Sequence, residues 1–376
     1  MTSPPATLFV RSPGRLSTEV VDSVNRIRTA EDVRYVAVMP DAHLAAEVCV
    51  GLVLATNRLI YPAAVGGDIG CGMAAVPIDA EADLLDDDVS AGQLLGDLYR
   101  EVPSNRHRTR RALPDRLRDF PLSDPRLGRM AEREGCIQLG TLGRGNHFLE
   151  FQADEDDRMW VMVHSGSRAM GQVITAHHVR NAEGSSVGIP FFDAEGHAGR
   201  AYLSDVGWAR EYSATNRLEM LRAVETILAD RFSATVDWSR LIHSDHDHVR
   251  RETHFGNDYL VHRKGAQSAR TDEAGIIPGS MGTATFHVVG RGLPESLRSC
   301  SHGAGRRLSR DAARRQIGAR QLERELRGIW CDRRRFDVLR EEAPSAYHDI
   351  EKVMQAQKDL VRVVRRLRPV LSYKGT

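Results

Sequence analysis

Cysteine is scarce. Five of the 376 residues carry a thiol (Cys49, Cys71, Cys136, Cys300 and Cys331), the number is odd, and no two stand as C-x-x-C. This argues against a disulfide framework and against a zinc knuckle. Any cysteine with a chemical task must share it with other ligand types. Lysine is scarcer, at Lys264, Lys352, Lys358 and Lys374 only. Positive charge is therefore almost wholly arginine, a good fork for phosphate but no nucleophile. No uninterrupted apolar run is long enough to span a bilayer, and residues 1–15 lack the apolar segment of a signal peptide. A cytoplasmic protein with no membrane partner is expected. Two nucleotide signatures are also missing: G-x-x-x-x-G-K-[ST] excludes a P-loop, and K-x-D-G excludes a ligase that adenylates lysine.

What is present describes an ordinary globular chain, 41% apolar and 27% charged, able to bury a large core. The formal net charge of +1 argues against nonspecific coating of nucleic acid. It hides a skew: residues 304–376 hold 19 Lys+Arg against 10 Asp+Glu. A local basic surface for a polyanion stays open.

The chain is organised around Val65-Gly66-Gly67-Asp68-Ile69-Gly70-Cys71-Gly72-Met73. Glycines there permit close approach of the backbone, while Asp68 offers a hard oxygen and Cys71 a soft sulfur. The motif reads as a metal site or as a glycine-rich turn with a buried structural cysteine. Apolar runs predict strands over 33–39, 49–60 and 74–78, with Asp41 and His43 at a strand end. A helical stretch is expected from the acidic residues 81–88 to about Tyr99. Residues 104–118 hold six arginines and read as a solvated face or an RNA contact. The glycines of 140–145 precede Asn146 and His147 without the strand and helix of a dinucleotide fold. A strand over 160–163 delivers His164. The longest helical pattern spans 204–232. Dense titratable residues follow in Ile242-His243-Ser244-Asp245-His246-Asp247-His248, hard to explain as packing. Two closing helices are expected, 309–327 and 345–368, the second stopped by Pro369, with a loose tail after it.

Asp68, Cys71, His147, His164 and His246 each fall on a loop beside a strand. One carboxylate, one thiolate and three imidazoles suit first-row metals, and the thiolate can bridge two ions. Two metals among glycine-rich loops suggest phosphoryl transfer. If a covalent nucleotide intermediate forms, His302, flanked by Gly303 and Gly305, is the fitting nucleophile.

Seven motifs in register resemble the RtcB family of RNA ligases: Met39-Pro40-Asp41-x-His43, Asp68-x-x-Cys71-Gly72, Gly140-Thr141-Leu142-Gly143-x-Gly145-Asn146-His147-Phe148-Leu149-Glu150, His164-Ser165-Gly166-Ser167-Arg168, Arg263-Lys264-Gly265-Ala266, Pro278-Gly279-Ser280-Met281-Gly282 and Ser301-His302-Gly303-Ala304-Gly305-Arg306. The resemblance runs from about residue 35 to Tyr373-Lys374-Gly375. It implies an α+β fold, one large domain over residues 1–376 with central β-sheets flanked by helices. It also implies a GTP- and Mn²⁺-dependent ligase joining RNA 3′-phosphate or 2′,3′-cyclic phosphate ends to 5′-hydroxyl ends, in tRNA splicing or RNA repair. By that resemblance Cys71 bridges two Mn²⁺, with Asp68 and His147 on one and His164 and His246 on the other. His302 carries GMP. Asn146, Glu150, Ser280, Ala304, Gly305, Tyr347 and Lys374 match guanylate-contacting positions, and Arg168, Lys264, Arg306 and Arg310 match positions near RNA phosphates. The partners implied are GTP and RNA, as tRNA halves or cleaved RNA, with an activating protein left open.

This chain departs from the family where His246 is followed by Asp247-His248 instead of Asn-Tyr, and in the loop after Asp41. Two alternatives are a dinuclear phosphoesterase or cyclic phosphodiesterase, and a non-catalytic RNA-binding relative.

Overall fold

Gly72–Glu81, buried on both faces over residues 72–78, runs through the larger of two main sheets: Ala74, Val76 and Ile78 turn to one face, Met73 and Ala75 to the other. The computed structural model describes residues 6–10 and 16–375, and everything below concerns those residues. Seven strands pair antiparallel in the order Ile242–Asp245, Gly72–Glu81, Arg158–Ser165, Phe148–Ala153, Val361–Lys374, Thr285–Gly290, Ala274–Pro278. A second sheet of five runs Ala6–Leu8, Val33–His43, Val50–Thr56, Asn257–Lys264, Asp247–His254, its first pair parallel and the rest antiparallel. The architecture is α+β.

One face of the seven-stranded sheet is covered by the 36-residue helix His197–Phe232, whose Met220, Leu221, Val224, Ile227 and Leu228 join Val76, Val161 and Val163 in the core. Each such aliphatic side chain contributes about 1.5–3 kcal/mol on burial. Helix Asp88–Glu101 packs in the same cluster and starts where Asp87 accepts from the Val89 and Ser90 N–H groups.

Strand register decides where the site lies. Gly72 pairs with Ser165 and with Asp245, and His164 faces both Met73 and Phe148. Cys71, His147, His164 and His246 are thereby drawn to one end of the sheet. His246 is also the residue at which the chain leaves one sheet for the other.

Four expectations fail at the C-terminal side. Residues 345–368 hold only the short helix Ile350–Ala356, and Val361–Lys374 is a strand between Phe148–Ala153 and Thr285–Gly290. The apolar spacing there fits both periods, and the β-branched Val361, Val363 and Val364 favour the pleated form once two neighbours are available. Pro369 does not stop a helix. It sits in the strand at a register shift before Leu371, where a missing N–H is tolerated. The tail is not loose either, since Tyr373 and Lys374 are buried. Residues 309–327 form two helices, Arg310–Gln316 and Ala319–Glu325, broken before Gly318.

Candidate active site

Five donor side chains converge where the two sheets meet. Cys71 Sγ lies 3.5 Å from His147 Nε2 and 3.3 Å from His164 Nε2, and His164 Nε2 is 3.3 Å from His246 Nε2. Asp68 Oδ2 is 2.8 Å from His147 Nε2. Two sets of three form, Asp68–Cys71–His147 and Cys71–His164–His246, with the sulfur in both. Donors bound about 2.1–2.3 Å from one ion sit roughly 3–3.7 Å from each other, so the spacing fits two cations sharing a thiolate.

The protonation pattern agrees. His164 Nδ1–H donates to the Asn146 carbonyl at 3.2 Å, leaving Nε2 bare toward the sulfur. Burial, then neighbouring positive charge, holds His164 and His246 well below the usual imidazole range, so both lone pairs are free at neutral pH. Burial works to raise the Asp68 carboxyl, but His147 and Arg168 overcome it and hold the pKa at about 2. Burial and the Asp68 charge raise the Cys71 thiol, which becomes thiolate when a metal takes its proton's place. Gly143 matters here: its φ is +103°, and a Cβ would lie 2.1 Å from His147 Nδ1.

His302 follows the short strand Ser299–Ser301, and its ring centroid is 4.8 Å from that of His246. Asp41 Oδ2 accepts from His302 Nδ1 at 2.7 Å and from the N–H groups of His302 and Gly303 at 3.2 and 3.3 Å. With Nδ1 committed to Asp41, Nε2 carries the lone pair. Burial alone would lower the His302 pKa, and the Asp41 bond and charge reverse that and raise it. Gly305 (φ +72°) lets this loop pass Asp41, whose carbonyl oxygen would sit 2.1 Å from a Cβ.

His302 opens into a cavity of about 1010 Å³. All seven residues expected to contact guanylate, Asn146, Glu150, Ser280, Ala304, Gly305, Tyr347 and Lys374, line it. At one wall Glu342 accepts from Tyr347 Oη at 2.5 Å, Lys374 Nζ at 3.1 Å and Arg306 at 3.0 Å. Burial pushes the Glu342 carboxyl up, and Lys374 and Arg306 pull it below its usual range. The Lys374 ammonium also stands 4.5 Å from the Phe148 ring centre. Burial raises Glu150 to about 7, against the Gln152 amide and Lys374.

The four basic residues separate. Arg306 and Arg310 line the cavity. Arg306 is spent on the chain itself, on Glu342, Tyr347 Oη and the Leu308 and Glu341 carbonyls, so it braces the wall. Arg310 is partly exposed, 3.7 Å from Glu341. Arg168 lies on the Asp68 side, bonded to Thr141 Oγ1 and the Ser104 carbonyl. Lys264 donates to the Ala63 carbonyl at 3.0 Å, outside the cavity lining.

A family model described as tRNA-splicing ligase RtcB matches residues 23–123 and 119–375. The RNA-splicing ligase RtcB of Escherichia coli K12 is 37% identical over 91% of this chain and 90% of its own. The tRNA-splicing ligase RtcB of Thermococcus kodakarensis is 28% identical over 97% of this chain and 95% of its own.

This chain belongs to the RtcB family.

Within an RtcB frame, the two residues that replace Asn-Tyr after His246 fall in different places. Asp247 sits beside the candidate donor His246 and accepts from the Gly265 N–H at 2.7 Å, its pKa raised by burial to about 7. His248 is buried between Asp245 and Arg263. Two site residues had no clear sequence signal. Asp41 read as a strand-end carboxylate within the motif Met39-Pro40-Asp41-x-His43, with no role of its own. Glu342 is buried among arginines, and the acidic pair Glu341-Glu342 inside a basic segment was its one trace. No helix among the described residues is long and apolar enough to cross a membrane.

Proposed function

We propose that the protein is a GTP- and Mn²⁺-dependent RNA ligase that joins 3′-phosphate or 2′,3′-cyclic phosphate ends to 5′-hydroxyl ends, in tRNA splicing or RNA repair. The observation that carries the reading is His302, held through Nδ1 by Asp41, at the edge of a nucleotide-sized cavity beside two donor sets that share Cys71.

His302 Nε2 attacks the α-phosphorus of GTP. The N–P bond forms, the bond to the β-phosphate oxygen breaks, and pyrophosphate leaves with the electron pair. An RNA 3′-phosphate oxygen then takes the GMP and returns the lone pair to Nε2. A 2′,3′-cyclic phosphate is first opened by water to the 3′-phosphate. The 5′-hydroxyl oxygen attacks the phosphorus of the activated RNA 3′-phosphate, the bond from that phosphorus to the oxygen bridging to GMP breaks, the hydroxyl proton passes to solvent, and GMP leaves with the electron pair. Asp41 keeps the imidazole in the reactive tautomer and steadies the charge it gains, as an orienting carboxylate does in other nucleophilic sites. Mn²⁺ on Asp68, Cys71, His147, His164 and His246 supplies Lewis-acid neutralisation of phosphate oxygens.

Guanine presents N–H donors on its Watson–Crick edge, which Glu150 accepts, and a carbonyl, which Lys374 donates to. Tyr347 supplies ring surface. Arg310, Arg168 and Lys264 take RNA phosphates, with Arg306 bracing Tyr347. An RNA strand leaving past Ser104 meets Arg106, Arg108 and Arg110, exposed and without a carboxylate partner among the described residues. Exposed arginines such as Arg58, Arg118, Arg222 and Arg368 are each paired.

The test is ligation of a broken stem with 3′-phosphate and 5′-hydroxyl ends, with and without GTP and Mn²⁺. Sealing that needs both, and that His302→Ala abolishes, supports the reading. Hydrolysis of the ends without sealing makes the protein a phosphoesterase instead, and RNA binding without turnover makes it a non-catalytic relative.

A further inference from the structure

The long helix His197–Phe232 places three polar residues on one turn of its buried face: Ser213, Asn216 and Arg217, at most 1% exposed. Their spacing of three and four brings them side by side. Polar groups at such a depth destabilise a packed interface unless each atom is bonded, and aliphatic side chains would fill the space without that requirement. Here none of the three has a fully buried side-chain atom left without a partner, and the partners are not scattered.

Asn216 Oδ1 accepts from the N–H groups of Gly140 and Thr141 at 2.7 and 3.2 Å. Its Nδ2 donates to the Thr141 carbonyl and to Ser165 Oγ, both at 3.1 Å. One amide thus ties the loop that leads to His147 to the turn that follows His164. Arg217 donates through one terminal nitrogen to the Gly70 carbonyl at 2.9 Å and to the Ser165 carbonyl at 2.8 Å, and through Nε to His243 Nε2 at 2.9 Å. Gly70 precedes Cys71, Ser165 succeeds His164, and His243 lies three residues before His246. Ser213 Oγ reaches the Ile69 carbonyl at 2.9 Å. Three side chains of one helix therefore grip the backbone next to Asp68, Cys71 and His164 and the segment that leads to His147.

We propose that Ser213, Asn216 and Arg217 are positioning residues of the metal centre, fixing the loops of Cys71, His147 and His164 at the separations that two bridged cations require. The proposal rests on the reading of the five donors as a metal site. None of the three reaches the cavity, so a role in touching GTP or RNA is not assigned to them. Distances among donors leave tolerance of a few tenths of an ångström around an ion, and loops closed only by their own turns would exceed it.

The test is a Co²⁺ titration of the full-length protein followed by visible spectroscopy, reading the thiolate-to-cobalt charge-transfer band and the ligand-field bands. The wild type and Cys71→Ala establish whether the band exists and whether it comes from that sulfur. Asn216→Ala and Arg217→Lys are expected to weaken Co²⁺ binding by about 10–100-fold, the range seen when residues supporting metal ligands are removed, and to alter the ligand-field bands. Ser213→Ala, which deletes one hydroxyl, is expected to weaken it a few-fold and serves if either larger change prevents folding. Val224→Ala, equally buried on the same helix but packed only in the apolar core, is the control: it should lower the Tm and leave cobalt affinity unchanged. Wild-type affinity and an unaltered spectrum in folded Asn216→Ala, Arg217→Lys or Ser213→Ala overturn the proposal. A wild type with no thiolate band overturns the metal reading itself, a separate failure.

Discussion

Asp41→Asn is the most informative perturbation of the nucleophile because it keeps the shape of the side chain and changes only its charge and donor pattern. All three donors on this carboxylate converge on one oxygen, the Nδ1–H of His302 and two backbone N–H groups. An amide faces a choice. If its oxygen stays on the three donors, a charge-assisted bond becomes a neutral one, a loss of about 1.5–3 kcal/mol, or roughly 10–150-fold in rate. If its NH₂ turns inward, Nδ1 must accept, the proton moves to Nε2 and the attacking lone pair disappears, a loss on the order of 10⁴-fold. The two backbone donors oppose that second arrangement, so the expected fall lies in the first range, at about 10–150-fold. The assay is single-turnover transfer of label from α-labelled GTP to protein in the presence of Mn²⁺, with the acid-lability of the product checked. GTP affinity should change less than about threefold, because Asp41 sits behind the imidazole. A labelling rate within threefold of wild type in a folded variant would refute the role given to Asp41.

Gly143→Ala should cost metal binding before it costs folding, since the new methyl group meets His147 Nδ1 and the Arg168 guanidinium; Co²⁺ titration against Tm checks the order. Replacing Arg106, Arg108 and Arg110 by serine should reduce the salt dependence of single-stranded RNA binding by about two units of slope, at roughly 0.7 per lost phosphate contact; an unchanged slope removes them from the RNA path. Glu252 is buried against Arg263, and although burial works to raise its carboxyl, the Arg263 charge and the His254 bond hold it well below the usual range. A depressed carboxylate contributes stability above its unfolded pKa of about 4.3 and loses it as pH falls further. Glu252→Gln should therefore flatten the acid limb of a Tm–pH curve, and an unchanged limb would count against the pair.

The chemistry of the site was readable because its donors are rare residue types set among glycines, and rarity survives without knowledge of the fold. Asp68, Cys71, His147, His164 and His246 announced themselves one by one. Their convergence was implied only by the family resemblance, since it depends on strand register, with Gly72 opposite both Ser165 and Asp245. Residues 361–368 of the strand Val361–Lys374 read as the end of a helix because Val353, Leu360, Val361, Val364 and Leu367 satisfy a helical spacing, while the two strands that claim the segment lie about 75 and 220 residues away in the chain. The same error hid the reason Lys374 is ordered: it closes that strand opposite Phe148 and pairs with Glu342. Asn216 and Arg217 were invisible for a related reason, being ordinary polar residues on a helix whose inward direction only the packed sheet reveals.

The arrangement of two ions about one sulfur is tested most directly by crystals of the full-length protein equilibrated with Mn²⁺ and measured at the manganese absorption edge. The account predicts two anomalous peaks, each at bonding distance from Cys71 Sγ, one also reached by Asp68 and His147 and the other by His164 and His246. A single peak, or two that do not share that sulfur, would contradict it.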